Sequence, residues 1–170
     1  MGKNFRKDDL EKQVLRGQRI YQPQCIDGDF SGARLRESRL LQPLFRNLRL
    51  DFADLTGAYL PKAVFENCTL TDARLSGVYL RGAELNACKI KNCDFSGANL
   101  SEVRFIDCEI SGSDFTMAEF AEISVKNTRF KDCKMFLADF TYVKPSEIIN
   151  IKQDIRDAIQ PVSHDNAKPA

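Results

Sequence analysis

What this sequence lacks narrows its function before any motif is found. His164 is the only histidine and stands in a polar C-terminal stretch, so no serine or cysteine has an imidazole partner to activate it. No apolar run approaches the roughly 18 residues of a membrane span, which excludes a helical membrane protein. The charges nearly cancel, with 25 Lys plus Arg against 24 Asp plus Glu, so no overall attraction draws the chain to nucleic acid or an anionic membrane. There is no glycine-rich phosphate loop and no C-x-x-C metal spacing. Residues 1–19 lack the apolar core of a signal peptide, which predicts a cytoplasmic chain whose six cysteines are free thiols. Neither catalytic, cofactor-binding nor metal-ligating residues emerge, so the expectation is a protein that is not an enzyme and needs no cofactor.

What the sequence has is a period of five. From Phe30 to Phe140 every position divisible by five is apolar, without a slip of phase. Two residues before each the side chain is usually small, as at Ala33, Ala53, Ala58, Cys68, Ala83, Cys93, Ala118 and Ala138, with Leu48 and Ile123 the main exceptions. A period of five fits neither the 3.6 of a helix nor the 2.0 of a strand. A coil that turns a corner every five residues does fit: each side supplies one large and one small inward residue, four sides make a rung of twenty, and rungs stack about 4.8 Å apart.

The units Ala53-Asp54-Leu55-Thr56-Gly57, Ala73-Arg74-Leu75-Ser76-Gly77, Cys93-Asp94-Phe95-Ser96-Gly97, Ala98-Asn99-Leu100 and Ala138-Asp139-Phe140-Thr141 resemble the pentapeptide-repeat family, whose units look like Ala-(Asp or Asn)-Leu-x-x. That resemblance implies an all-β solenoid, a right-handed quadrilateral β-helix of about six coils. Pro23, Pro43 and Leu48 depart from the pattern and predict irregular first rungs.

The twenty-residue register places Cys68, Cys88 and Cys108 in one inward column and Cys93 and Cys133 in another, as small buried thiols and not as a metal or redox site. Gly57, Gly77 and Gly97 stack at a corner that requires positive φ. Arg34, Asp54, Arg74 and Asp94 alternate in sign along one outward column. Four units divide the chain: residues 1–19 as an N-terminal cap, read as an imperfect first coil though Phe5, Leu10 and Val14 also suit a helix; the β-helix at 20–143; an amphipathic helix at 146–160 carrying Ile148, Ile151, Ile155 and Ile159; and a disordered tail at 161–170.

Two surfaces stand out for function. Leu41, Leu44, Tyr59, Pro61, Val64 and Tyr79 point outward around one early corner, which predicts a protein-interaction module or scaffold whose partner is a protein. The competing possibility at that corner is cover by the N-terminal segment. At the other end, Met117, Phe136, Leu137 and Tyr142 point outward where the isoleucine helix is expected to cover them. The alternative rests on the family resemblance: some members mimic DNA and bind type II topoisomerases such as DNA gyrase. Here its surface would be Glu84, Glu102, Asp107, Glu119 and Glu122 in residues 84–125, a stretch of eight carboxylates and three cations. Residues 1–50 oppose that reading, with eleven basic and six acidic residues. A mimic this short would need to lengthen itself by dimerising, and a homodimer through a terminal helix is the expected route.

Overall fold

The computed structural model describes residues 4–15, 17–144 and 146. Every fifth residue from Phe30 to Met135 is buried, and Phe140 packs half-buried against the same core. The chain forms a parallel β-solenoid of about six turns, a right-handed quadrilateral β-helix. Its sides are numbered here from the one centred on Cys25.

Side one stacks β2 (Gln24–Asp29), β4 (Leu44–Arg49), β5 (Val64–Glu66), β7 (Glu84–Asn86), β9 (Arg104–Ile106) and β11 (Ser124–Lys126). Side two stacks the ends of β2 and β4 on β6 (Thr69–Thr71), β8 (Lys89–Lys91), β10 (Glu109–Ser111) and β12 (Arg129–Lys131). Side three is a column of single bridges from Arg34 to Lys134, and side four begins with β1 (Arg19–Tyr21) on β3 (Arg39–Leu41) and continues as bridges to Asp139. Partners are always twenty residues apart. On side three, Arg74 N–H donates to the Ala53 carbonyl at 2.9 Å on the rung before and Leu75 N–H to the Asp94 carbonyl at 2.7 Å on the rung after, so the side ties to both neighbouring rungs.

The positive φ expected of one glycine column is a property of every corner. Each fifth residue from Gly17 to Tyr142 has φ between 47° and 68°. Gly57, Gly77 and Gly97 each sit at 62°, but so placed are Asn67, Asp72 and the bulky Phe52, Met117, Leu137 and Tyr142. The left-handed residue redirects the chain so that the next large side chain again faces inward. Without glycine it costs on the order of 1 kcal/mol at a corner.

The first rungs keep their phase despite their unusual residues. At Ala58 and at Ala63, the residue stacked on Pro43, the backbone N–H closes the turn, on the Leu55 carbonyl at 2.9 Å and the Leu60 carbonyl at 3.2 Å, and does not enter the ladder. Proline therefore fits there. Pro43 is buried and its carbonyl still accepts from Val64 N–H at 2.9 Å. Leu48 is buried in register with Gly28 on the preceding rung, where an added Cβ would press on the Phe30 ring at 3.3 Å.

The N-terminal segment corrects the expectation of a coil. Asn4 bridges Gln24 in ladder fashion, but α1 (Lys7–Leu15) then replaces sides two and three of that turn before β1 resumes on side four. Leu10 is buried while Leu15 is 79% exposed, because five residues on a helix turn the side chain to another face; Val14, four residues on, packs against the core instead. The helix also satisfies the edge it covers. Glu11 accepts from Arg34 N–H at 2.8 Å, and Lys7 Nζ donates to the Ser31 carbonyl at 2.7 Å, the two groups that a preceding rung would otherwise bond. The amphipathic helix at 146–160 and the tail at 161–170 lie outside the described residues, Ser146 apart.

All six cysteines are buried thiols. The thiols of Cys68, Cys88, Cys93 and Cys108 donate to carbonyls of the neighbouring coil, as Cys68 Sγ does to Phe45 O at 3.4 Å and Cys93 Sγ to Leu70 O at 2.9 Å. Burial pushes the Cys25 and Cys93 thiols up to about 12, and the hydrogen bond to Cys88, with burial, holds Cys108 up as well. The thiolate is the reactive form. The hydrogen bond with Cys88 lowers Cys68 instead, but its thiol is buried like the others. A thiol reagent at neutral pH is therefore expected to label none of the six in the folded protein and all six in denaturant; fast labelling of Cys68, Cys88 and Cys108 without denaturant would overturn this burial.

Candidate protein-interaction surface

The period that fills the core also lines up what faces out. On side four, Tyr59 and Tyr79 occupy one ladder position on successive rungs, and their rings stack 4.8 Å apart at 22°. Tyr59 is 42% exposed and Tyr79 half-buried. Leu41, further along the same side, shares a shallow depression with Tyr59, Arg19 and Arg39, and a second one with Tyr21, Pro61 and Lys62. Leu44 and Val64 are in register around the corner on side one. The predicted residues thus form two neighbouring groups: Leu41, Pro61, Tyr59 and Tyr79 on side four, Leu44 and Val64 on side one. Tyr21, 69% exposed, joins the first group. It was readable as the residue twenty before Leu41.

Among the described residues the N-terminal segment does not cover this corner. Its helix lies on the end of the coil, bonded to Ser31 and Arg34. At the far end Met117, Phe136, Leu137 and Tyr142 are 62%, 58%, 57% and 81% exposed among the described residues, and the helix expected over them lies outside that set.

The acidic residues are scattered and partly neutralised. Glu84 pairs with Arg104 at 3.0 Å and Glu102 with Arg81 at 2.6 Å. Asp107 accepts from Asn127 Nδ2 at 3.0 Å, Glu119 accepts from the Asn99 amide, and Glu122 stands exposed at a corner. They occupy sides one and four and two different corners, so no double row of phosphate-like charge results. On side three, Arg34, Asp54, Arg74 and Asp94 do stack in alternation, but the aspartates bond first to backbone: Asp54 accepts from Thr56 N–H at 3.0 Å and Asp94 from Ser96 N–H at 2.9 Å. Burial works against ionised Asp54, yet the Thr56 hydrogen bonds and the Arg74 charge hold it below its ordinary value.

Among the described residues no group of three or more His, Cys, Asp or Glu is placed to hold a metal ion, and no helix is long and apolar enough to cross a membrane.

Residues 49–86 and 79–116 match the family model described as pentapeptide repeats, with eight copies. No curated protein matches the chain significantly. Among solved structures it is similar to the pentapeptide repeat protein Rfr23 from the cyanobacterium Cyanothece 51142, at 16% identity and a TM-score of 0.51, covering 74% of this chain and 96% of that one. Lower-scoring matches are QnrB1, a plasmid-mediated fluoroquinolone resistance protein (16% identity, TM-score 0.38, 81% of this chain and 82% of that one), and HetL of Nostoc sp. strain PCC 7120, involved in heterocyst differentiation regulation (14%, 0.31, 79% and 90%). The Rfr23 likeness is one of fold. With the repeat matched in sequence over residues 49–116 and one inward pair recurring at every side, the coil is a pentapeptide-repeat β-helix.

Proposed function

We propose that this protein is a non-enzymatic interaction module that binds a protein partner through the corner formed by Leu41, Leu44, Tyr59, Val64 and Tyr79. The observation that carries the reading is the exposed Tyr59–Tyr79 stack beside Leu41, held on a ladder that fixes its geometry before binding. Aromatic anchors on a rigid surface lose little conformational entropy on binding and are the residues in which interface energy concentrates. Tyr59→Ala or Tyr79→Ala is expected to weaken partner binding by about 1 kcal/mol or more. The measurement is affinity capture by the tagged protein in extract of its native host, followed by titration of the captured partner. Binding indifferent to both substitutions would remove this surface.

A DNA mimic acting on gyrase is the second reading, and the arginine partners of Glu84 and Glu102 count against it. It would take first place if the purified protein inhibited gyrase supercoiling, charge reversal at Glu102, Glu119 or Glu122 abolished the effect, and the tyrosine variants left it unchanged.

A further inference from the structure

On sides one to three, opposite charges meet rung to rung. Arg46 pairs with Glu66, Arg49 with Asp29, Arg104 with Glu84 and Lys134 with Asp114, each across one rung. Asp94 above Asp114 is the exception, and each is anchored to a backbone N–H two residues on. Side four is ordered differently. Its outward column starts with Arg19 on Arg39, continues with Tyr59 on Tyr79 and Asn99, and ends with Glu119 on Asp139. The adjoining corner repeats the order, with Lys62 before Gly82 and Glu102 and Glu122 after it.

Like charges in register disfavour a sheet. Arg19 and Arg39 stand exposed and in register, and neither side chain forms an ion pair among the described residues. Glu37 lines the same depression but is paired with Arg36 at 3.3 Å, and the acidic residues of the column itself are too distant to help. Arg39 and Glu119 are four rungs apart, about 19 Å at the sheet spacing, against a screening length of about 8 Å.

We infer that side four docks a second copy of this chain, antiparallel, about a two-fold axis that lies along the strand direction through Tyr79. The inference rests on the reading above that this side is a contact surface. Tyr79 is the midpoint of the column, with three residues on either side of it in the ladder. The two-fold axis keeps each column opposite itself and reverses its order. Arg19 then meets Asp139 of the second copy, Arg39 meets Glu119, Lys62 meets Glu102, and Tyr79 meets Tyr79. Arg81 meets its own copy, already bonded to Glu102 at 2.6 Å. Charge sets the orientation and the central tyrosines supply the desolvated contact. A strip of six rung steps, about 29 Å long, is small for a specific interface, so the dimer is reversible and concentration-dependent.

Sedimentation of the purified full chain at low salt tests this. A monomer–dimer equilibrium that weakens with added salt is expected. Arg39→Glu and Glu119→Arg, both at exposed positions, should each raise the dissociation constant about tenfold or more, and the double variant Arg39→Glu/Glu119→Arg should restore dimerisation. Parallel packing would not be rescued in this way, because it sets residue 39 against itself. Tyr79→Cys adds a half-buried outward thiol to a chain whose own cysteines are buried, and a short bismaleimide should link it across the dimer but fail to link Asp139→Cys. A chain monomeric at all concentrations, a dimer indifferent to Arg39→Glu, or no rescue by the double variant would overturn the inference. A monomer whose partner capture still falls with Tyr59→Ala would remove the self-docking alone, and a dimer that obeys the swaps while capture ignores Tyr59 would remove the separate partner alone.

Discussion

Truncating Phe95 to alanine is expected to destabilise the protein by about 3–5 kcal/mol, seen as a lower urea midpoint. Phe95 is 1% exposed and its ring stacks on Phe115 at 4.9 Å and 10°, while Phe115 in turn meets Phe120 and Phe130. The backbone bonds on both sides of the cavity hold the rungs at their spacing, so the walls cannot close on the space left behind. The neighbouring Ser96→Ala is the control. Its hydroxyl bonds to Asp94 Oδ1 at 2.6 Å and to Ser76 Oγ at 3.2 Å on the outer surface, and its loss should cost about 1 kcal/mol or less. Equal midpoints for the two variants would contradict the inward and outward assignment.

A larger effect is expected from changing chain length inside the coil. Deleting Ser76 alone moves every later residue by one position, which sends Leu80, Leu85 and Ile90 outward and their polar neighbours into the core. No cooperative unfolding transition should remain. Removing residues 70–89 as a block preserves the phase: Phe65 then meets Phe105, Leu50 meets Ile90, Leu55 meets Phe95 and Leu60 meets Leu100. That shortened chain should fold, with a smaller denaturant m-value in proportion to the surface lost, because each rung contacts only its neighbours. A folded single deletion, or an unfolded twenty-residue one, would show that something other than the phase organises the molecule.

The core was legible because the residues two before and at each fifth position carry the whole inward pattern, and the rung of twenty then placed Cys68, Cys88 and Cys108 in one buried column. The first turn was not. Leu10 and Ile20 keep the period of five, and Leu10 is buried in a helix as it would be in a coil; only the outward Leu15 separates the two structures. The corners were read too narrowly, since glycine announces positive φ while Phe52 and Met117 adopt it under the constraint of the ladder. The acidic surface was counted along the sequence, where the charge of residues 84–125 leaves out Arg81, which stands beside Glu102 in space, and does not show that Arg104 is spent on Glu84. The tyrosine corner followed directly from the register, because a solenoid turns a sequence interval of twenty into adjacency.

That interval also governs how the molecule responds to force. Since every ladder bond joins a residue to the coil immediately before or after it, tension applied between the two ends loads the terminal coil first and leaves the interior unstressed. A coil that peels away releases twenty residues of slack, about 65 Å of extended chain in exchange for one rung, and the next coil then becomes the loaded edge. The solenoid yields by unwinding in equal lengths from an end, a spool that pays out thread and not a knot that gives way at once.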